Sequence, residues 1–254
     1  MPHDSAQPAA GSATALPRAS GIVVYLSLLI AATLVFGLWP QLDLAISSFA
    51  RDLNGGAFQL KGGPWNWLYR GTRPFFLGLS AVVAAAGIAS LLLRRPLGWM
   101  TPRKAIFILV SFGLTQGIVV DLYLKSVFGR PRPRELTDFG GDSTFTPFYL
   151  VSDQCSSNCA FVSGHAAMVF ALLAFSFVLP ERWRRPAFWL ALAAGLVSGW
   201  ARIQQGAHFA SDVIFAGLVT YGVTWLVSLL ILRGWIDRYW QASLRRRGAG
   251  REAA

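Results

Sequence analysis

The sequence predicts an all-α integral membrane protein: six transmembrane helices, with a short amphipathic helix lying in the interface between the first two. Three observations lead there. Hydrophobic residues make up 54% of the chain and charged residues only 14%, a balance foreign to ordinary water-soluble domains. Apolar runs of roughly twenty residues, the length that crosses a bilayer, recur along the chain. Nearly all ionisable side chains fall at the ends of those runs rather than within them. At 254 residues there is room for one membrane domain, placed at 20–240.

Residues 1–19, rich in Ala, Ser, Gly and Pro, read as a disordered tail. The first span is 21–39; it exceeds a usual signal-peptide core and follows a long polar tail, so it reads as a retained helix. Leu42, Ile46, Phe49 and Leu53 then recur at helical spacing, with Asp43, Ser47, Arg51 and Asp52 on the other faces. That pattern predicts the amphipathic interfacial helix. Trp65, Trp67 and Tyr69 follow in a Gly-containing loop, as interfacial anchors or as a wall of a lipid-binding groove. The second and third spans are 74–93 and 105–124, the latter delivering Lys125 at its end, one turn after Asp121. Residues 126–160 form the longest connection, of a length usually functional or disordered. The remaining spans are 161–179, 186–200 and 211–232, and a basic tail occupies 241–254. Gly195 and Gly199 form a GxxxG pattern that predicts close helix packing.

The excess of basic residues gives a net charge of +11, suited to anionic lipids or phosphorylated substrates. Long apolar runs separate the basic clusters, which argues against nucleic acid. With the N-terminus in the cytoplasm, 14 of the 23 Lys and Arg fall on that side and 9 on the other. The positive-inside rule therefore predicts both termini in the cytoplasm.

Three polar stretches break the apolar pattern, and two of the three histidines lie in them. Arg202 offers a planar fork of donors that suits a phosphate. His208 and Asp212, four residues apart, share a face if a helix begins there, and the carboxylate then holds one imidazole nitrogen. The alternative is an interfacial histidine beside a helix-capping aspartate. Ser163-Gly164-His165 opens one apolar run, and Lys125 to Pro133 closes another. With the termini inside, all three stretches open on the same outer side. Cys155 and Cys159, the only cysteines, lie on that side just before Ser163. They read as a possible disulfide in an oxidising compartment, since no spare His or Cys nearby completes a metal site.

Taken in order, Lys125…Arg132-Pro133, Ser163-Gly164-His165 and Arg202…His208…Asp212 resemble the motif series of the type-2 phosphatidic acid phosphatase superfamily. Val162 and Ala201 depart from it, standing where the family has proline and serine. The resemblance implies a metal-independent phosphate-ester hydrolase without a cofactor. Lys125, Arg132, Ser163, Gly164 and Arg202 would bind the phosphate. His208 would attack phosphorus to give a phosphohistidine, Asp212 would orient it, and His165 would protonate the leaving oxygen. The implied partners are the bilayer and a phosphorylated lipid, and the oligomeric state is left open. An outward-facing site in a bacterial inner membrane admits lipid A, undecaprenyl diphosphate or phosphatidylglycerol phosphate. The loop ahead of Ser163, with Phe139-Gly140-Gly141-Asp142 and the cysteine pair, resembles that of the lipid A phosphatases, with the 1- and 4′-positions not separated. Rival classes fare worse. Binding alone does not need the histidine pair, haloperoxidase chemistry does not need six spans, and a transporter would carry ionisable groups deep within spans.

Overall fold

The computed structural model describes residues 19–59 and 62–234, and every regular element among them is a helix. The tails expected at 1–19 and 241–254 lie outside that range, apart from Ala19. In chain order the helices are α1 (Ala19–Leu38), α2 (Gln41–Asp52), α3 (Gly63–Leu92) and α4 (Pro102–Gly113). A π-helical stretch, Leu114–Leu124, continues α4 into α5 (Lys125–Val127). Then come α6 (Gly164–Phe170), α7 (Leu173–Val178), α8 (Glu181–Gln204) and α9 (Ala210–Ile231).

Among the described residues five helical segments are long and apolar enough to cross a membrane, not six: Gly21–Leu38, Trp65–Leu92, Pro102–Val127, Glu181–Gln204 and Ala210–Ile231. The expected fourth span is instead the short pair α6 and α7. The reason is its position. This pair packs against α8, α9, α3, α4 and the π-helical stretch, and most of its side chains are buried in protein. A helix enclosed by other helices has no lipid to match in length. Gly195 and Gly199 make this enclosure tight: a side-chain carbon at either would run into Phe170 or Val213 respectively.

Two further expectations change in detail. The interfacial helix exists as α2, yet it turns Asp43, Ser47 and Ala50 inward and leaves Leu42, Phe49 and Leu53 exposed. Where the outer medium is lipid rather than water, the apolar stripe belongs outside. The expected loop carrying Trp65, Trp67 and Tyr69 is the beginning of α3, which runs straight through Pro74. Proline fits helical φ and costs one hydrogen bond, so a chain supported by neighbours tolerates it.

Local chemistry sets the ends that matter. Thr101 caps α4, its hydroxyl accepting the Lys104 N–H, with Pro102 at the first helical position. In the π-helical stretch the backbone bonds reach five residues along and the turn is wider than in an α-helix, and Gln116 donates to Asp121 Oδ2, five residues on, at 3.0 Å. This register carries Gln116, Asp121 and Lys125 to one end of the bundle, beside the start of α6.

Candidate active site

At that end lies a cavity of about 320 Å3 lined by residues from all three polar stretches: Lys125, Arg132, Gly164, His165, Arg202 and His208. Tyr69, Arg70, Arg73, Gln116, Asp121, Met168 and Asn158 complete its wall. Ser163 and Asp212 are fully buried and stand behind the wall rather than in it. Segments far apart in sequence are thus brought together by helix ends and the long connection.

Each cation is held by a specific neighbour. Lys125 pairs with Asp121 at 3.0 Å and donates to Asn158 Oδ1 at 3.1 Å. Its Nζ comes so close to the Gly164 backbone that a side chain there would meet it at 2.8 Å. Glycine at 164 is therefore what lets the ammonium group reach the start of α6. Arg132 donates to the backbone oxygen of Asn158 at 2.6 Å. Asn158 itself adopts a left-handed conformation between Cys155 and Cys159, which are joined by a disulfide. One small closed loop thus fixes two of the cations. Arg202 donates to Gln205 and lays its guanidinium over the Tyr69 ring at 4.4 Å. Among the described residues, Arg202 Nε and Ser163 Oγ are buried without a hydrogen-bond partner. Unpaired buried donors of this kind suit an anion or water.

His208 lies just before α9, nearly fully buried. Its Nδ1 is 2.7 Å from the carbonyl oxygen of Ala160, which can only accept, so Nδ1 carries the proton. In the neutral ring Nε2 then keeps its lone pair, as a nucleophile requires. Asp212 Oδ2 is 3.7 Å from Nδ1, beyond hydrogen-bond reach, and acts on the ring through its charge. Burial lowers the His208 pKa to about 4, against the opposing pull of Asp212 and with the help of Arg202. His165 stands in the wall with its ring 4.5 Å from that of Tyr69.

Behind the histidine is a charge cluster in which Asp212 alone carries a role read from the sequence. The Arg130 guanidinium, with no exposed surface, donates from Nη1 to Asp212 Oδ1 at 2.5 Å and from Nη2 to Asp43 Oδ2 at 2.8 Å. Its Nε donates to the Thr146 carbonyl at 2.8 Å, and Phe209 covers one face at 4.1 Å. Ser211 joins in, its hydroxyl accepting from Arg130 at 2.9 Å and donating to Asp43 at 2.6 Å. The Ser211 N–H donates to Asp43 Oδ1 at 2.9 Å, and the Phe209 N–H donates to Asp212 Oδ2 at 2.8 Å. Burial pushes the Asp43 carboxyl up from its usual range, with Arg130 pulling it back. The only hint in the sequence was an acidic residue on an otherwise interfacial helix. Tyr69 was foreshadowed as a possible groove wall, whereas Arg70, Arg73 and Gln116 were missed.

Together these features define a multi-pass membrane protein whose helix ends converge on a cationic, histidine-bearing anion cradle. Residues 104–235 match the PAP2 superfamily, and the chain belongs to that family; it is a phosphatase, a phosphoric monoester hydrolase. It is 37% identical over 207 residues to the lipid A 4′-phosphatase of Francisella tularensis subsp. novicida, covering 80% of this chain and 91% of that one. The lipid A 4′-phosphatase of Rhizobium leguminosarum is 32% identical over 45% of this chain and 46% of its own. The lipid A 1-phosphatase of Rhizobium etli is 37% identical over 45% of each. No solved structure matches.

The geometry yields two expectations. Histidine 15N NMR, with the His208 signal assigned by its loss in His208→Ala, should show an Nδ1–H tautomer. That signal should persist through pH 5 and titrate only near 4; a midpoint near the ordinary value of about 6.5 would contradict the buried setting. Asp43→Asn leaves Arg130 with one carboxylate partner and draws Asp212 toward it. Turnover should fall by about tenfold or more, each tenfold being about 1.4 kcal/mol of barrier, with a smaller change in KM. Because Asp212 is drawn away from the ring toward a less neutralised Arg130, the His208 titration should also move to lower pH, an effect that simple loosening of the fold would not produce.

Proposed function

We propose that this phosphatase removes the 4′-phosphate of lipid A at the periplasmic face of the inner membrane, through a phosphohistidine formed on His208. The observation that carries the reading is the cavity itself: three cations and two histidines gathered at one end of a membrane bundle. Similarity to a lipid A 4′-phosphatase along 80% of the chain supports the substrate and favours the 4′-position over the 1-position. The charge bias of the connections supports cytoplasmic termini and an outward cavity. The disulfide on the same side suits an oxidising compartment.

In the proposed reaction Lys125, Arg132 and Arg202 draw charge from the phosphoryl oxygens, and the unpartnered Ser163 hydroxyl and Arg202 Nε add donors. His208 Nε2 attacks phosphorus as the bond to the lipid oxygen breaks, and His165 gives that oxygen its proton. The attacking ring becomes cationic, and the charge of Asp212 and the Ala160 carbonyl stabilise it. Water then cleaves the phosphorus–nitrogen bond, its proton passing back to His165, which releases inorganic phosphate and returns His208 to its neutral form.

Expression in a Gram-negative host whose lipid A carries both phosphates tests this directly. Mass spectrometry should show loss of one phosphate, and fragmentation should place the loss at the 4′-position. His208→Ala should abolish it at equal expression. His165→Ala should lose about a hundredfold or more on the lipid but far less on nitrophenyl phosphate, whose leaving group needs no proton. Unaltered lipid A from the wild-type host would refute the substrate.

The topology is tested separately through Cys155 and Cys159. In protein taken from membranes without reductant, both should resist a maleimide until reduced, and then label from the periplasmic side. Labelling from the cytoplasmic side alone would reverse the orientation.

A further inference from the structure

The cavity holds more positive charge than one phosphate uses. Lys125, Arg132 and Arg202 form the cradle, and Lys125 is already shared with Asp121. Two further guanidinium groups, Arg70 and Arg73, line the same cavity from α3. Neither has a carboxylate within salt-bridge distance among the described residues. Both are exposed. Counting Asp121 and leaving the histidines aside, the wall carries +4. A phosphate monoester dianion cancels about half of that, and the remainder equals the charge of these two arginines.

They come from a different helix than the cradle residues. Arg70 and Arg73 follow Tyr69 by one and four residues, so Arg73 is its neighbour one turn along the helix. The Tyr69 ring is the contact between α3 and the cradle, with Arg202 over it at 4.4 Å and His165 at 4.5 Å. Beyond that ring the wall of α3 presents the two free guanidinium groups. Two planar forks three residues apart on one helix suit a single multivalent anion. Had they served only as interfacial anchors, nothing would require them to face the same cavity as the histidines.

We infer that Arg70 and Arg73 form a second phosphate subsite, which takes a second phosphate monoester on the same lipid headgroup while His208 acts on the first. This rests on the lipid phosphatase reading above. It makes the enzyme select for a doubly phosphorylated headgroup, with α3, outside the matched family region, setting that preference. The product, left with one phosphate, binds less tightly than the substrate and leaves.

The test compares two lipids with the same disaccharide and acyl chains in neutral detergent micelles, one carrying both phosphates and one only the 4′-phosphate. The wild-type enzyme should prefer the former in kcat/KM. In R70Q/R73Q that preference should fall by about tenfold, through KM, and Arg73→Lys alone should retain part of it. Should the double variant not accumulate, R70Q and R73Q singly must each lower the ratio. A ratio preserved within about twofold overturns the subsite. So does an equal loss on both lipids, which would place the arginines in general attraction. Wild-type protein that hydrolyses nitrophenyl phosphate but neither lipid refutes the lipid A reading instead, so the two failures are distinguishable.

Discussion

A guanidinium group with no contact to water is costly unless its nitrogens find acceptors, and all three nitrogens of Arg130 do so through partners from three regions of the chain. Asp43 comes from α2, Thr146 from the long connection, and Ser211 and Asp212 from the start of α9. Removing any one would leave a donor of the buried guanidinium unmatched in a low-dielectric interior. The cluster therefore fixes the interfacial helix, the connecting loop and the histidine-bearing turn against one another. His208 inherits its position from this arrangement: the loop supplies the Ala160 carbonyl and the helix start supplies Asp212.

Ahead of the histidine the design is reversed. Behind it, positive and negative charges are paired; in front, positive charge is left in excess. Asn158 in its disulfide-closed loop, Asp121 on the π-helical stretch and Tyr69 on α3 each hold a cation in place without neutralising the whole. Such preorganisation is what phosphoryl transfer demands, because a protein contributes mainly positioning and field to that reaction. The lowered pKa of His208 belongs to the same arrangement, since burial among fixed cations keeps the ring neutral and nucleophilic.

The membrane explains why the site stands at the helix ends. Ionisable groups concentrate where the bundle meets water, and irregular backbone is tolerated there because protein encloses it. The short central pair α6 and α7 is the consequence: its start must meet Lys125 at the cavity floor, while neighbouring helices cover its length.

The sequence by itself determined the helical membrane class, the interfacial helix and the residues of the three motifs, because hydropathy and spacing are local properties. The family followed from the same residues, and the match over 104–235 agrees with it. Tertiary structure decided the rest. Asp43 lies 87 residues from Arg130 and 168 from Ser211, so no periodicity links them. An aspartate on an amphipathic helix reads as solvated until a buried arginine is seen opposite it. The span count failed for a similar reason, since hydropathy cannot tell a helix facing lipid from one enclosed by protein. Trp65, Trp67 and Tyr69 read as a Gly-containing interfacial loop, and only the packing of α3 against α6 and α8 turns Tyr69, with Arg70 and Arg73, toward the site. Local pattern encodes which groups are present, whereas convergence of distant helix ends decides which of them meet.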